Sequence, residues 1–294
     1  MTVGVIGLGR MGSAVARRLA EKGFELVLWT RDREKLGKVA KELGAEAASS
    51  PREVAEKADD THIVVSDDHA LYGVVTGPEG VLGAQEPTTI INQVTCTIKA
   101  STSIAEMTSS KGFGYVEAPI IGGPRTVERG EAIIPCSGEE EACGTESLLA
   151  LGSVVYLGHP PKALAAKLGF NHVFLGIVSA LADAFALAEA YGIEWENYVN
   201  LVLSKTWLRG IVERYGDRLR LGGKTSFASK LAAKDARYVA EALAELGLDA
   251  SLAAAITNHY AAMIREGYGD ADYPSVAGFF AMLGRKLREG KAKN

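Results

Sequence analysis

Two polar side chains stand one helical turn apart in the segment PKALAAKLGFNHVFLG, residues 161–176. Lys167 and Asn171 are four positions apart, a spacing that places two side chains on one face of an α-helix. Apolar residues flank that face, namely Leu164, Phe170 and Phe174. A lysine can lay its stem on apolar surface and keep its ammonium in water, which would give the pair no chemical role. Alternatively, an ammonium kept away from water loses its proton more easily, and Lys167 would then suit general acid/base chemistry.

A glycine-rich turn near the N-terminus has the spacing of a dinucleotide-binding loop. In GLGRMG, the first glycine permits a tight turn, the second lets the backbone approach a pyrophosphate, and the third lets the following helix pack on the preceding strand. The helix N-terminus adds amide donors and a positive dipole. A glycine-rich turn without a ligand is the simpler alternative, but the strand–turn–helix context favours a nicotinamide dinucleotide. The predicted cofactor-binding residues of this loop are Gly7, Leu8, Gly9, Arg10, Met11 and Gly12.

The residues after the second predicted strand bear on the choice of nicotinamide cofactor. NAD-binding proteins usually place an acidic residue about 20 residues after the glycines, where it binds the ribose 2′-hydroxyl. This chain has Thr30 and Arg31 there, with Arg33 nearby. A guanidinium suits a 2′-phosphate and a carboxylate would repel it, although Asp32 departs from that pattern. The sequence therefore favours NADP over NAD, with Thr30 and Arg31 as cofactor-binding residues.

Short β-branched runs alternate with helical stretches through the first half of the chain. The predicted strands are 3–7, 25–29, 62–66, 89–92, 114–118, 132–137 and 153–158. Strands separated by helices need crossover connections, which give a mainly parallel sheet. After GHPPK (158–162) the pattern becomes helical, with predicted helices at 161–191, 195–204, 228–246, 250–266 and 274–289. We therefore predict a Rossmann-type α/β domain over residues 1–159 and an all-α domain over residues 160–294, with the last four residues, KAKN, disordered.

Composition and charge narrow the class of partner. Of the 294 residues, 47% are hydrophobic and 23% are charged, which is typical of globular proteins, and the length suits two domains. The net charge is −4 and the sequence has no basic block, so we expect neither nucleic acid nor a membrane surface as the main partner. We also find no signal-peptide pattern and no apolar run approaching about 18 residues.

Cysteine usage bears on the compartment. The chain contains Cys96, Cys136 and Cys143, an odd number without the spacing of a metal site. This pattern is typical of free thiols in a reducing environment. We therefore expect a cytoplasmic protein without disulfides.

Two other polar groups invite a functional interpretation. The segment SDDH (66–69) offers carboxylates and a histidine, but the sequence supplies no second group of ligands beside it, so we expect no metal site. His172 follows Asn171 and turns about 100° away from it on a helix. Packing is therefore the simpler interpretation of His172.

Five segments resemble the β-hydroxyacid dehydrogenase family, which includes 3-hydroxyisobutyrate dehydrogenases and tartronate semialdehyde reductases. They are VIGLGRMGSAVARRL (5–19), EAPIIGGPRTVERGEA (117–132), AKLGFN (166–171), FASKLAAKDARYVAEAL (227–243) and GDADYPSV (269–276). The likeness runs from end to end in the same order, which is more specific than any single motif. The resemblance implies an NADP-dependent enzyme that interconverts a short β-hydroxyacid and its semialdehyde by hydride transfer.

The resemblance also implies catalytic roles for the matching residues. Lys167 would be the general acid/base, and Asn171 would orient Lys167 or the substrate. Lys234 would approach both cofactor and substrate, with Asp235 as its neighbour. A second ammonium near Lys167 would further favour loss of its proton.

Residues at the carboxyl ends of predicted strands would line the remaining subsites. The loop Ile121, Gly122 and Gly123 would bind the substrate, with the two glycine amides directed at a carboxylate. The residues implied for the cofactor crevice are Ser66, Asp67 and Thr95.

The substrate loop departs from the family pattern. The family usually has Ser at the position of Ile121, and Gly and Ala at the positions of Thr126 and Val127. The change at Ile121 removes a hydroxyl from the loop, and the other two add bulk, although Arg125 could compensate as an anion clamp. We therefore keep two alternatives to a β-hydroxyacid dehydrogenase: an imine reductase-like NADPH-dependent enzyme and a non-catalytic dinucleotide-sensing protein.

The expected partners are a small-molecule substrate and a second copy of the chain. The helical half has several Ala-rich amphipathic faces, more than one small domain could bury. A homodimer through that half is expected, as the family resemblance also implies, and a larger homo-oligomer is an alternative.

Overall fold

A mostly parallel sheet forms the first part of the molecule. The computed structural model describes residues 1–291. The strands are β1 (Thr2–Ile6), β2 (Glu25–Trp29), β3 (Glu46–Ala47), β4 (Asp60–Ile63), β5 (Thr89–Asn92), β6 (Gly114–Glu117), β7 (Ala132–Gly138) and β8 (Gly152–Tyr156). Their order in the sheet is β3-β2-β1-β4-β5-β6-β7-β8, and β6 with β7 is the antiparallel pair. The predicted fold class, a Rossmann-type α/β half followed by an all-α half, is confirmed.

Eight helices connect these strands. They are α1 (Arg10–Glu21), α2 (Arg33–Leu43), α3 (Pro51–Lys57), α4 (Asp68–Thr76), α5 (Ile98–Ser110), α6 (Pro124–Glu128), α7 (Glu140–Cys143) and α8 (Glu146–Leu149). Side chains of Asp32, Ser50, Asp67 and Thr97 accept hydrogen bonds from the first turns of α2 to α5. These N-caps explain where four of the helices begin, because the first amides of a helix have no partner within it.

The central strands are buried along most of their length. Val3, Val5 and Ile6 of β1 are fully buried, and so is every residue of β4. Because successive side chains point to opposite faces of a sheet, continuous burial means that both faces are covered. Strand β1 was therefore recognisable as a continuous apolar run, whereas β4 buries the polar residues Asp60, Thr61 and His62, and the strand predicted at 62–66 ends at Ile63.

The second part of the chain is helical. Its helices are α9 (Lys162–Ala190), α10 (Trp195–Asn197), α11 (Arg209–Tyr215), α12 (Ser229–Glu245), α13 (Ser251–Arg265) and α14 (Val276–Lys291). The helix predicted at 195–204 is instead the short α10, a π-helical turn over Tyr198–Val202 and a 3₁₀ turn. A core that includes Phe185, Tyr260 and Phe279 holds these helices together.

Helix α9 is long and apolar enough, by length and composition, to cross a membrane. Lys167, Asn171 and Asp183 interrupt its apolar residues, so α9 is not one continuous apolar run. Several of its apolar side chains, among them Leu175, Val178 and Phe185, belong to the core of the helical part. The core helix of a soluble protein passes the same test, so this feature is weak support for a membrane span.

The chain divides into two compact units, the first comprising Met1–Phe170 and the second beginning at Asn171. The division falls inside α9, whereas the sequence placed the boundary between residues 159 and 160; that domain boundary stays a prediction. The predicted disorder of KAKN concerns residue 291, which ends α14, and residues 292–294, which lie outside the described residues.

Two of the three cysteines form a disulfide, so the expectation of free thiols is wrong for Cys136 and Cys143. Cys136 lies in β7 and Cys143 ends α7, and the chain reverses between them. The reversal brings their Cα atoms to 5.9 Å, within the range that a disulfide spans. Cys96 is buried and takes no part in a disulfide.

Candidate active site

The glycine loop between β1 and α1 leaves one open approach to its backbone. Gly7 has φ +99°, and a Cβ there would lie 2.4 Å from the Val64 carbonyl oxygen. A Cβ on Gly12 would lie 1.8 Å from the Gly7 carbonyl oxygen, so α1 packs directly on the turn. A Cβ on Gly9, by contrast, would meet no atom within 4 Å. The first and third glycines are therefore required by packing, and the second leaves space for a ligand above the backbone.

The N-terminus of α1 has no capping side chain. Gly9 is its N-cap residue and makes no side-chain hydrogen bond, unlike the caps of α2 to α5. The first intrahelical bond runs from the Ser13 amide to the Gly9 carbonyl at 2.9 Å, so the amides before Ser13 point out of the helix end. Open amides beside an open glycine fit the pyrophosphate of a dinucleotide.

Some residues after β2 have structural hydrogen bonds, and others are exposed and could contact a cofactor. The Asp32 carboxylate accepts the Lys35 amide at 2.9 Å and caps α2. The Arg33 guanidinium donates to the carbonyl oxygens of Ala48 at 3.1 Å and Ser49 at 2.6 Å. Thr30 is half-buried and Arg31 is exposed. Asp32, the residue that departed from the NADP pattern, therefore has a structural role at the helix N-terminus.

A buried polar cluster joins α9 to α12. Asn171 is 1% exposed and Asp235 is 3% exposed. The Asn171 Nδ2 donates to Asp235 Oδ2 at 2.7 Å, and Lys234 Nζ lies 3.2 Å from Asp235 Oδ1. Lys234 Nζ also lies 4.8 Å from the ring centroid of Tyr238. The structure thus brings Asn171, Lys234 and Asp235 together, and the direct bond between Asn171 and Asp235 is a contact that the resemblance did not imply.

The orientation of the Asn171 amide follows from its partner. An ionised carboxylate only accepts hydrogen bonds, so the NH₂ group must face Asp235 and the oxygen must face away. Within residues 1–291 that buried Oδ1 has no hydrogen-bond partner. A buried acceptor without a partner is uncommon in folded proteins and is costly unless a ligand or another donor completes it.

Lys167 lies one turn before Asn171 on α9. It is half-buried, and its Nζ lies 5.8 Å from the ring centroid of Phe170. Leu164 of the flanking apolar face is fully buried, whereas Phe170 is 45% exposed. The apolar face predicted around Lys167 is therefore present, although part of it is open.

Two side chains that the sequence analysis missed hold the first turn of α9. Ser137 of β7 accepts the Ala163 amide at 2.8 Å, and Glu117 at the end of β6 accepts the Leu164 amide at 3.5 Å. Glu117 is 1% exposed, and burial raises the pKa of its carboxyl despite a hydrogen bond from Ser101. The signal in the sequence was a helix start at HPPK without Ser, Thr or Asp to cap it, which implied caps from elsewhere in the chain.

The substrate loop of the resemblance leaves the carboxyl end of β6. Ile121 pairs with Ile133 of β7 through two backbone hydrogen bonds of 2.8 and 3.1 Å. Gly122 has φ +149°, and Gly123 is the N-cap residue of α6. The Gly123 amide donates to Thr126 Oγ1 at 3.4 Å, so one of the two predicted carboxylate donors already has an internal partner.

The other predicted crevice residues lie where strands β4 and β5 give way to helices. Asp67 caps α4 through the Ala70 amide at 2.9 Å and accepts the Ser66 hydroxyl at 2.7 Å. Asp68 accepts the amide and hydroxyl of Thr97, two residues after Thr95. No group of three or more metal-ligating side chains occurs among the described residues, 1–291.

Comparison with known proteins assigns both halves of the chain. Residues 2–158 match the family described as the NAD binding domain of 6-phosphogluconate dehydrogenase. Residues 164–282 match the family described as the C-terminal domain of NADPH-dependent reductive aminase-like proteins. The two matches cover the glycine loop and the Asn171–Asp235 cluster respectively.

Individual proteins are similar over nearly the whole chain. Over 283 residues the chain is 28% identical to the uncharacterized oxidoreductase YfjR of Bacillus subtilis, which covers 94% of this chain and 98% of the relative. Over 282 residues it is 28% identical to glyoxylate/succinic semialdehyde reductase 1 of Arabidopsis thaliana, with 94% and 97% covered. The structure of Mycobacterium tuberculosis 3-hydroxyisobutyrate dehydrogenase with L-serine has a TM-score of 0.81 at 21% identity, over 95% of this chain and 98% of that chain. At that identity the structural similarity speaks for the fold alone.

Proposed function

The chain belongs to the β-hydroxyacid dehydrogenase family of NAD(P)-dependent oxidoreductases, and on that premise we propose that it reduces a small carbonyl compound with NADPH. Lys167 is the general acid in this proposal, and the base in the reverse direction. The pair implied by the family resemblance is a semialdehyde and its short β-hydroxyacid. The Arabidopsis relative, a glyoxylate/succinic semialdehyde reductase, supplies the first compounds to assay.

The observation that carries the proposal is the unpartnered Oδ1 of Asn171, one turn from Lys167. The Asn171 Nδ2 lies 2.7 Å from Asp235 Oδ2, and this hydrogen bond fixes the amide so that its Oδ1 faces away from Asp235. That oxygen can accept a hydrogen bond from the Lys167 ammonium or from a substrate hydroxyl, since both are donors. In the proposal, this acceptor holds the proton donor or the substrate in line, as general acid/base catalysis needs.

The residues of the chain divide the work of the reaction. When bound, the reduced nicotinamide supplies the hydride that the carbonyl carbon accepts. Lys167 donates a proton to the carbonyl oxygen, on which negative charge develops. Asn171 holds the ammonium or the hydroxyl in line, and Asp235 keeps Asn171 oriented. Lys234 adds positive charge to the cluster while Asp235 balances it at 3.2 Å.

The preferred cofactor in this proposal is NADP, bound by the Gly7–Gly12 loop and by Thr30 and Arg31. The exposed Arg31 is available for a 2′-phosphate, whereas Asp32 is held by α2. We expect Arg31→Ala to weaken NADP binding far more than NAD binding, measured as two dissociation constants by fluorescence titration. Equal weakening of both would place the 2′-phosphate elsewhere.

The proposal is tested by the variant Lys167→Ala, with Lys162→Ala as the matched control. Lys162 is an exposed lysine five residues earlier on the same helix. We expect Lys167→Ala to lower kcat by at least about 10²-fold, with an unchanged dissociation constant for NADP, and Lys162→Ala to keep wild-type activity. If Lys167→Ala retains most of the activity, the role of Lys167 is refuted.

Imine reduction is a second candidate, favoured by the match of residues 164–282 to reductive aminase-like proteins. In both candidate reactions a carbon atom accepts hydride from NADPH. That carbon is double-bonded to oxygen in a carbonyl substrate and to nitrogen in an imine. Assays of 1-pyrroline and of a ketone with and without an added amine separate them. NADPH oxidation that requires the amine or the cyclic imine would establish imine reduction in place of carbonyl reduction.

A homodimer through the helical half and a cytoplasmic location complete the proposal. The exposed apolar residues of the helical half, which a second copy could cover, include Val173, Leu187, Tyr191 and Trp207. Sedimentation of the purified protein tests the dimer. The Cys136–Cys143 disulfide removes the cysteine argument for a reducing compartment. The cytoplasmic proposal therefore rests on the intracellular supply of nicotinamide cofactors, and alkylation of thiols in intact cells tests whether the disulfide forms there.

A further inference from the structure

The loop that follows β6 has few hydrogen-bond donors left for a substrate carboxylate. The Ile121 amide donates to the Ile133 carbonyl at 2.8 Å, which removes it from any ligand. The Ile121 side chain is partly exposed and carries no polar atom. The Gly123 amide donates to Thr126 Oγ1 at 3.4 Å. Of the three successive amides, only that of Gly122 makes no hydrogen bond within residues 1–291.

Thr126 also occupies the space in front of Gly122. A Cβ placed on Gly122 would lie 3.2 Å from both Cβ and Cγ2 of Thr126. The threonine methyl group therefore packs against the one glycine whose amide remains. The Thr126 hydroxyl thus accepts the Gly123 amide, and the Thr126 methyl group places apolar surface beside Gly122.

A carboxylate needs more than this loop provides. Gly122 is exposed and Ile121 and Gly123 are half-buried, so a carboxylate that binds there loses part of its water and needs hydrogen bonds or a paired cation in return. Helix α6, which begins at Pro124, has five residues, so its dipole adds little. Arg125 is the nearest cation in the sequence of the loop, and its side chain is exposed. The apolar Ile121 and the Thr126 methyl favour an uncharged group in the place where a carboxylate would lie.

We propose that the loop over residues 121–126 selects carbonyl substrates without a carboxylate, and that Thr126 and Ile121 determine this specificity. The inference rests on the proposed carbonyl reduction and narrows its substrate class. The chemical step is unchanged: the carbonyl carbon gains a hydride, its oxygen gains the Lys167 proton, and NADPH is oxidised to NADP⁺. The expected substrate is an aldehyde or ketone whose remaining groups are alkyl or otherwise uncharged.

The test compares succinic semialdehyde with its methyl ester, which has nearly the same length and no negative charge. We expect the wild-type enzyme to reduce the ester with a kcat/KM at least about tenfold higher, because the carboxylate gives up water and gains no partner, which costs at least the worth of one charge-assisted hydrogen bond. The double variant Ile121→Ser with Thr126→Gly restores a hydroxyl and frees the Gly123 amide. This variant is expected to shift the ratio toward the acid by about tenfold or more. Thr126→Ser is the matched comparison: it keeps the hydroxyl on the Gly123 amide and removes only the methyl group, so it should shift the ratio clearly less than the double variant.

A binding measurement keeps the inference testable apart from activity. Butyrate and methyl butyrate are titrated into the NADP⁺ complex of the wild type and of both variants by calorimetry. The expected result is tighter binding of the ester by the wild type and a gain for butyrate in the double variant alone. If neither aldehyde is reduced, the proposal of carbonyl reduction fails, and the titrations still decide the question of the loop.

Two results would overturn the inference. One is a wild-type preference for succinic semialdehyde or for butyrate over the matching ester. The other is a carboxylate preference that disappears in Arg125→Ala, which would make Arg125 an anion clamp and the Thr126 contact irrelevant to specificity. If the double variant melts well below the wild type, Thr126→Ala takes its place, because it also frees the Gly123 amide and changes the loop less.

Discussion

The buried histidine of β4 makes the stability of the first unit depend on pH. His62 is fully buried, with Nδ1 3.2 Å from Gln93 Oε1 and Nε2 3.0 Å from Ser147 Oγ. Burial lowers the pKa of its imidazole from 6.5 to about 4, and the hydrogen bond with Gln93 offsets only part of that effect. The folded unit therefore holds His62 neutral at pH values where an unfolded chain would protonate it.

The sign and size of the effect follow from that difference. Between pH 6.5 and about 4 the unfolded state binds more protons than the folded state, so stability falls as the pH falls. A tenfold change in proton affinity corresponds to about 1.4 kcal/mol, so the full loss amounts to about 3 kcal/mol. Most of it, about 2 kcal/mol, is lost between about pH 7 and pH 5. Burial raises the pKa of the Asp60 carboxyl, so Asp60 makes the folded unit more stable as the pH falls, which is opposite to His62. A comparison with a His62 variant is therefore needed to separate the two effects.

The assay follows the ring Cε1–H signals of the histidines by NMR between pH 4 and 8, with His62→Gln identifying the His62 signal. Unfolding by urea at pH 7 and at pH 5 gives the stability of the first unit. It is followed through the His62 signal in the wild type and through a neighbouring amide of β4 in both proteins. We expect a His62 midpoint near 4, and a loss of stability about 2 kcal/mol greater in the wild type than in His62→Gln. A midpoint near 6.5, or equal losses in the two proteins, would refute the reasoning.

Three further predictions concern the loop, the buried cluster and the disulfide. Gly12→Ala places a Cβ 1.8 Å from the Gly7 carbonyl oxygen, so we expect weaker dinucleotide binding and a lower Tm; an unchanged dissociation constant would contradict the packing argument. Asp235→Asn removes the carboxylate that orients Asn171 at 2.7 Å, and we expect kcat to fall by about tenfold to a hundredfold while NADP binding holds, measured by steady-state kinetics. Cys143→Ser opens a disulfide with a sequence separation of 7, which should lower the free energy of unfolding by about 2–3 kcal/mol in urea; identical curves would show that the disulfide contributes nothing.

The strands and most long helices could be predicted because their signal is local. Each predicted run overlaps a strand, and the agreement is good for β1 and β2, whose residues are mostly buried and apolar. The run predicted at 62–66 shares only His62 and Ile63 with β4, because β4 begins with the buried polar residues Asp60 and Thr61. The strand that was missed, β3 (Glu46–Ala47), has two exposed residues and no such signal. The π-helical turn after α10 was also missed, because its residues have ordinary helical composition.

The errors came from contacts between residues only three to seven positions apart, which depend on how the chain turns locally and which a linear pattern does not show. The cysteines gave an odd count, and only the reversal after β7 showed that Cys136 and Cys143 lie close enough to bond. Asp32 looked like a departure from the NADP pattern until its bond to the Lys35 amide explained it. The bulk of Thr126 was visible in the sequence, but its bond to the Gly123 amide was not.

The sequence by itself determined the family, the glycine loop and the pairing of Lys167 with Asn171, because these depend on short spacings along one turn or one helix. Only the tertiary structure decided which way the Asn171 amide points. Its partner Asp235 lies 64 residues further along the chain, and packing of α9 with α12 brings the two groups to 2.7 Å. A carboxylate that can only accept turns the amide oxygen of Asn171 away from Asp235, and in the proposed function that oxygen is the acceptor for Lys167 or the substrate.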